Sequence, residues 1–435
     1  LIGHVPVSAA VGDDHVPTAL VVEGGQRLCG SIDVEGNKNA ALPLLAACVL
    51  TDQPCELTNV PQIKDVGVMI ELLQGLGAEV IGVGTTTIRV HCRTITTDKP
   101  NAKLVGRLRG SVLLVGPLLA RTGRVRLAPP GGDFPARRTI DSHLRALGSM
   151  GVIDEPGELH ELSTPSGLKP ASIYLEEASV TGTETAILAA SAAIGRTEIR
   201  HAACEPHVVE LCEFLQAMGV GISGAGTPTI EIIGGMKLGG ASRRLRGDYI
   251  EAGSWAVVAA VTGGEIEVRG IEASDFEPIL AILSRMNVGC WIEDDRLIVH
   301  PSELRNIQQI TTAPWPGFPS DMVSLVSVLA TQASGRTLIH DWMYELRLFA
   351  LEQLSGMGGD LFLCDPHRMI VNGPRMLKGR HLDTRDLRSG MALIAAALAA
   401  DGVSRVGPLE TVERGYAHLV SRLKALGAQV EVELA

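Results

Sequence analysis

Six cations stand where a loop gives way to a helix or near such a junction: Lys38 in Gly36-Asn37-Lys38-Asn39, Arg109 in Leu108-Arg109-Gly110-Ser111, Arg388 in Asp386-Leu387-Arg388, and Arg138, Arg347 and Arg414 at the others. A cation before a helix N-terminus opposes the helix dipole, so this placement is locally unfavourable. An anion bound at the same helix ends offsets it. Any one of these residues alone reads as a solvated surface cation. Six at comparable edges point to a small polyanion, for which clustered cations supply charge and arginine adds bidentate geometry.

Two loops carry acidic groups beside these cations. Pro129-Pro130-Gly131-Gly132-Asp133-Phe134-Pro135 is rich in tight-turn residues and leads into Arg137-Arg138, so it reads either as an active-site lid with Asp133 at its tip or as a plain exposed turn. Pro316-Gly317-Phe318-Pro319-Ser320-Asp321 is the second. There Ser320 or Asp321 could cap a helix, or the Asp321 carboxylate could serve as general base toward a substrate hydroxyl.

The elements that must position these residues repeat. A helix ends in a Leu/Met-Gly step and runs into a β-hairpin, with the marker at Gly77, Gly151, Gly219, Asn287, Gly358 and Gly427, a period of about 70 residues. Between markers lies a second helix, rich in small residues and expected to be buried all round. The six candidates are Asn39–Leu50, Gly110–Ala120, Thr183–Ile194, Gly253–Thr262, Asp321–Ala333 and Ser389–Ala400. Turn residues such as Thr122-Gly123, Gly263-Gly264 and Asp401-Gly402 close them. Each unit reads as strand, helix, strand, helix, hairpin. Six units are expected to form two groups of three, because a single core becomes unwieldy beyond roughly 250 to 300 residues.

Composition bounds the rest. The chain has 435 residues, 46% of them hydrophobic but only 3% aromatic, so Leu, Val, Ile and Ala must fill the cores. A formal charge of −11 argues against general nucleic-acid binding while leaving room for a local cationic pocket. Apolar runs such as Met391 to Ala400 are too short to cross a bilayer. Leu1 to Ala19 lacks the features of a signal peptide and reads as a loose extension. Eight scattered cysteines without CxxC or zinc spacing read as reduced thiols of a cytoplasmic protein. No ligand cluster suggests a metal or an organic cofactor, and His143 and His207 read as ordinary polar or core positions.

Several motifs in order resemble the enolpyruvyl transferase family over residues 20 to 433: Lys38-Asn39-Ala40-Ala41-Leu42-Pro43, Gly116-Pro117-Leu118-Leu119-Ala120-Arg121, Pro130-Gly131-Gly132, Pro316-Gly317-Phe318-Pro319-Ser320-Asp321, Asp386-Leu387-Arg388 and Arg414-Gly415-Tyr416. The resemblance implies an α/β fold of two inside-out α/β barrel domains, each of three βαβαββ repeats. One domain would comprise residues 1–37 and 248–435, the other 38–247, with substrates between them.

The implied reaction transfers the enolpyruvyl group of phosphoenolpyruvate to the 3-hydroxyl of UDP-N-acetylglucosamine and releases phosphate, the first committed step of peptidoglycan synthesis. By match to the family motifs, Lys38, Arg138 and Arg414 hold the phosphate, Arg347 and Arg388 face the carboxylate, and Arg109 lies nearby. Asp321 aligns with the base. Asn39, Arg138, Asp141, Ser179, Val180 and Asp321 align with the nucleotide-sugar contacts.

Asp133 stands where most members of the family carry a cysteine linked to proton delivery and to alkylation by fosfomycin. An aspartate can act as an acid there only with a pKa raised above its free value of about 3.9; fosfomycin insensitivity is then expected. Other departures lie on the acceptor side: Glu177 for a lysine, Thr181-Gly182 for Gly-Ala, Thr139 for a proline, Tyr249 for an arginine and Leu346 for an asparagine. These keep open a paralogous transferase acting on another hydroxyl, such as that of UMP, in secondary metabolism. A non-catalytic nucleotide-sugar-binding protein is the remaining alternative, while 5-enolpyruvylshikimate-3-phosphate synthase shares fold and donor but matches the loops less well.

Overall fold

The computed structural model describes residues 18–131, 139–155, 157–345 and 347–434. Asp133, Arg138, Leu346 and most of the N-terminal extension lie outside the described residues.

The repeat is seen most simply between residues 172 and 234. The strand Ser172–Tyr174 is followed by the helix Val180–Ala192 and by Gly195–Arg200, which pairs parallel to the first strand with Ile173 opposite Ile199. The helix Pro206–Ala217 then leads to the hairpin of Gly221–Ser223 and Thr229–Gly234. Thr197 and Ile199 face inward between partly or fully exposed neighbours, so one face of the strand is buried. The described strands form six sheets, five of four strands and one of three. None of the six closes on itself: the barrels of the expected class are open sheets packed on helices.

Three units are completed by strands from distant parts of the chain. Cys29–Asp33 pairs parallel to Glu265–Arg269, and Ser242–Arg244 pairs parallel to Cys55–Thr58. Thr18–Glu23 lies between Val403–Gly407 and Gln429–Leu434. The chain therefore leaves one group of units after Asp33 and returns to it after Arg244. The two passages touch: Gly36 bridges Gly247, Asn37 N–H donates to the Arg246 carbonyl at 2.8 Å, and Asp248 N–H donates to the Glu35 carbonyl at 2.9 Å. A Cβ on Gly36 would sit 2.0 Å from the Asn59 carbonyl oxygen, and one on Gly247 would sit 1.9 Å from that of Gly270. Only glycine fits this crossing.

The small-residue helices are buried on nearly every side. One group contains Lys38–Ala47, Val115–Thr122 and Val180–Ala192; the other contains Tyr249–Thr262, Val323–Gln332 and Leu387–Ala399. Each group lies in its own apolar core, one drawn from residues 41–245 with Ala417, the other from residues 20–34 and 249–430. The close approach is explicit at Gly116, where a Cβ would lie 3.0 Å from Ala189 N, and at Gly253, where it would lie 2.8 Å from the Met322 methyl.

Several helix starts differ from the sequence expectation for local reasons. Tyr249–Thr262 begins before Gly253 because Asp248 accepts from the N–H groups of Ile250 and Glu251 at 2.9 and 3.1 Å. Val180–Ala192 begins before Thr183 because Ser179 Oγ accepts from Gly182 N–H at 3.2 Å. Arg109–Leu114 is a 3₁₀ turn; Pro117 has no N–H for an α-helical bond to Leu113, which favours the tighter turn ahead of it.

All six marker residues are left-handed, with φ from 59° at Asn287 to 108° at Gly219. Each ends its helix by a pair of bonds, as where Gly219 N–H reaches the Gln216 carbonyl and Val220 N–H the Leu215 carbonyl, both at 3.0 Å. Nothing lies within 4 Å of a Cβ built on Gly219, so Gly219→Ala isolates the backbone term. It should destabilise the protein by about 1 kcal/mol in urea unfolding with activity retained; an unchanged midpoint would contradict the role given to this position.

Candidate active site

Lys38 opens the helix Lys38–Ala47. The Asn37 side chain caps that helix through Asn39 N–H at 2.8 Å, and Lys38 N–H reaches Asp248 Oδ2 at 3.3 Å. The Lys38 ammonium lies 2.7 Å from Asp65 Oδ2. Arg414, in the turn between Leu409–Val412 and Leu419–Ala425, grips the same carboxylate through Nε at 2.9 Å and Nη2 at 3.2 Å. Asp65 is buried in the first turn of Lys64–Gly75, where the helix dipole favours an anion. Burial pushes its pKa up, but Lys38 and Arg414 outweigh burial and hold it below the usual carboxylate value. Lys38 and Asp65 belong to the 38–245 segment and Arg414 to the other core, so the ion pair spans the seam. Lys64 Nζ and Glu413 Oε2 pair alongside it at 2.8 Å.

A second pair of cations meets a second carboxylate. Asp321 lies in the 3₁₀ turn Ser320–Met322, Arg347 begins the 3₁₀ helix Arg347–Glu352, and Arg388 lies in the first turn of Leu387–Ala399. Arg347 Nη1 is 3.2 Å from Asp321 Oδ1; Arg388 Nε and Nη2 are each 3.1 Å from Asp321 Oδ2. Asp386 caps Leu387–Ala399 through the N–H groups of Arg388 and Ser389 at 3.0 and 2.9 Å, which offsets the dipole against Arg388. Arg388 Nη1 also donates to Tyr416 Oη at 3.3 Å, and Tyr416 Oη lies 2.7 Å from Ser254 Oγ. Burial lowers the Arg388 pKa, but Asp321 and its other partners raise it overall, so the guanidinium stays charged. Arg347 donates to Ser320 Oγ at 2.7 Å, and Ser320 donates to the buried Asp341 at 2.7 Å.

Of the expected acceptor residues, Asp141, Ser179 and Val180 lie at the starts of two packed helices of the 38–245 segment. Arg109 Nη2 donates to the Thr139 carbonyl at 2.6 Å, and the Arg109 charge helps burial depress the His143 pKa to about 4, burial being the larger effect. His143 Nε2 lies 2.9 Å from Thr181 Oγ1, tying Asp141–Ser149 to the start of Val180–Ala192. Asp141 is exposed at the head of its helix, and Ser179 and Val180 form the cap and first residue of theirs. Glu177 is exposed on the bend just before that cap. Asn39 is half-buried beside Lys38. Asp133 and Arg138 fall outside the described residues. Among the described residues, no three His, Cys, Asp or Glu side chains converge as metal ligands.

Sequence reasoning missed Asp65, Asp341 and the ring of Tyr416. The available signal for Asp65 was a carboxylate flanked by Ile63, Val66 and Met69 on a helix with apolar spacing, since a buried acid requires a counter-ion. Its partners are far away in sequence.

Known proteins share both the sequence family and the fold. The family model described as EPSP synthase (3-phosphoshikimate 1-carboxyvinyltransferase) matches residues 22–423. A UDP-N-acetylglucosamine 1-carboxyvinyltransferase of Treponema denticola is 41% identical over 421 residues, covering 95% of this chain and 99% of the relative. One from Bradyrhizobium diazoefficiens is 41% identical over 423 residues, covering 95% and 98%. Among solved structures, the enolpyruvyl transferase NikO from Streptomyces tendae superposes with a TM-score of 0.87 at 25% identity, covering 97% of this chain and 100% of that one. EPSP synthase from Acinetobacter baumannii, at 19% identity and a TM-score of 0.77 over 96% of this chain and 100% of that one, shares the fold. A family match over nearly the whole length, on a fold that sets paired cations along the seam of its two cores, leads to one conclusion: the chain belongs to the EPSP synthase family of enolpyruvyl (1-carboxyvinyl) transferases.

Proposed function

We propose that this protein transfers the enolpyruvyl group of phosphoenolpyruvate to the 3-hydroxyl of UDP-N-acetylglucosamine, as a cytoplasmic enzyme of peptidoglycan synthesis. The observation that carries the donor side is the pairing of cations: Lys38 with Arg414 on Asp65, and Arg347 with Arg388 on Asp321. The first pair takes the phosphate, together with Arg138, and the second takes the carboxylate. The acceptor is supported by full-length relatives of that name, with Asn39, Arg109, Arg138, Asp141, Ser179 and Val180 as its contacts. The exposure of Glu177 lessens its conflict with a diphosphate, because solvent screens the repulsion. The domains in this reading are 1–37 with 248–435, and 38–247, meeting at the Gly36–Gly247 crossing and closing over the substrates.

The chemistry follows from these positions. The acceptor oxygen forms a bond to C2 of phosphoenolpyruvate while its proton passes to Asp321. The double-bond electrons take a proton at C3, delivered by Asp133, and give a tetrahedral phosphate ester. Loss of a proton from C3 then re-forms the double bond as the C2–O bond to phosphate breaks, leaving the enolpyruvyl ether and inorganic phosphate. Asp321 is held by two guanidinium groups before substrate binds. The donor carboxylate competes for those guanidinium groups, which frees the Asp321 carboxylate to face the acceptor hydroxyl.

Phosphate release from phosphoenolpyruvate should depend on UDP-N-acetylglucosamine and yield a product heavier by one enolpyruvyl group; release only with UMP would move the protein to the paralogous reading. Asp321→Asn should lower kcat by about 100-fold or more with phosphoenolpyruvate binding retained, and near-normal kcat would refute this carboxylate as base. Turnover should persist in fosfomycin. A covalent adduct at Asp133 in the mass spectrum would overturn that expectation.

A further inference from the structure

The helix Pro206–Ala217 starts at the seam of the two cores with polar groups that the scheme above does not use. Glu205, at its N-cap, accepts from Trp315 N–H at 3.5 Å, a contact between one core and the loop that carries Asp321 in the other. Trp315 in turn packs against Tyr249 at 6.0 Å between ring centres. The next helix residue but one, His207, is only 4% exposed, yet neither of its ring nitrogens has a hydrogen-bond partner among the described residues. An unpaired buried polar group costs about 1–3 kcal/mol, and His207 carries two.

His207 also lies in the field of the Asp321 carboxylate. Burial depresses its pKa to about 4 against the pull of Asp321, and its place in the first turn of a helix likewise disfavours a cation. At neutral pH the ring therefore presents one donor and one acceptor. Glu205 Oε2 and Glu184 Oε1 are buried nearby without partners among the described residues, and burial raises both pKa values. Two buried acids whose pKa values burial raises, beside a neutral imidazole, form a polar, hydrogen-bonding wall. Such a wall suits the part of the acceptor next to the reacting hydroxyl.

We propose that His207 is an acceptor-positioning residue, its imidazole hydrogen-bonding the polar substituent adjacent to the hydroxyl that Asp321 deprotonates. On the proposed acceptor that neighbour is either the acylamino group, which offers both a donor and an acceptor, or the next hydroxyl. The inference rests on the reading of Asp321 as base and of a nucleotide sugar as acceptor. It adds a contact to that site from the first turn of Pro206–Ala217.

The test compares wild type, His207→Phe and His207→Gln. His207→Phe should raise the KM for UDP-N-acetylglucosamine about tenfold, leave the KM for phosphoenolpyruvate unchanged and hold or raise the melting temperature, since it removes unpaired polar atoms. His207→Gln, which keeps a donor and an acceptor, should recover much of the loss. Independently of any variant, the ring-nitrogen resonances of His207 in the wild-type protein should shift when UDP-N-acetylglucosamine saturates it. Unchanged acceptor KM in both variants, or unmoved resonances in a wild type that turns over, overturns the His207 assignment alone. A wild type that neither binds nor turns over UDP-N-acetylglucosamine overturns the acceptor reading and this inference with it.

Discussion

The structure depends on holding like charges together. Lys38, Arg347, Arg388 and Arg414 converge on two carboxylates at the seam of the two cores, and two unit charges about 4 Å apart repel by about 4 kcal/mol at an effective dielectric of about 20. The arrangement is tolerable because each carboxylate serves two cations: Asp65 takes Lys38 and Arg414, and Asp321 takes Arg347 and Arg388. Asp65 thus offsets part of the charge of Lys38 and Arg414, and Asp321 part of that of Arg347 and Arg388. Removing Asp65, the buried one of the two, would leave Lys38 poorly compensated, a change of about 3–5 kcal/mol for a buried pair.

The repeat architecture serves this constraint. A buried, small-residue helix in every unit lets three helices pack closely, and N-terminal turns carry Lys38 to Asp65 and bring Asp321 and Arg388 together. The glycine crossing keeps the two cores together at one edge while leaving the ion pairs to join them at others. In the proposed mechanism the same ion pairs are exchanged for bonds to substrate. A donor that competes for Arg347 and Arg388 takes partners from Asp321, so donor binding and the placing of the base involve the same atoms.

Some of this was legible in the sequence because it is local. The six markers stood out since a left-handed residue after a helix demands glycine or asparagine, and the structure gives all six positive φ. The cations stood out by their repeated place beside turns. The helix starts were displaced by a few residues because they are decided by single caps at Asp248 and Ser179. Asp65 was not legible because its arginine partner lies 349 residues away. The same holds for the sheet strand Thr18–Glu23, whose neighbours are at the other end of the chain. From the sequence His207 reads as an ordinary polar or core position; only the packed structure shows a buried ring with no hydrogen-bond partner on either nitrogen among the described residues.

The central claim is that the carboxylate-bridged cations are the donor pocket. Its most direct test is calorimetric titration of phosphoenolpyruvate into wild type and Lys38→Ala, with UDP-N-acetylglucosamine titrated in parallel. Loss of a charge-assisted contact should weaken donor binding about tenfold or more while acceptor affinity stays close to wild type. Equal donor affinity in the two proteins would contradict the claim.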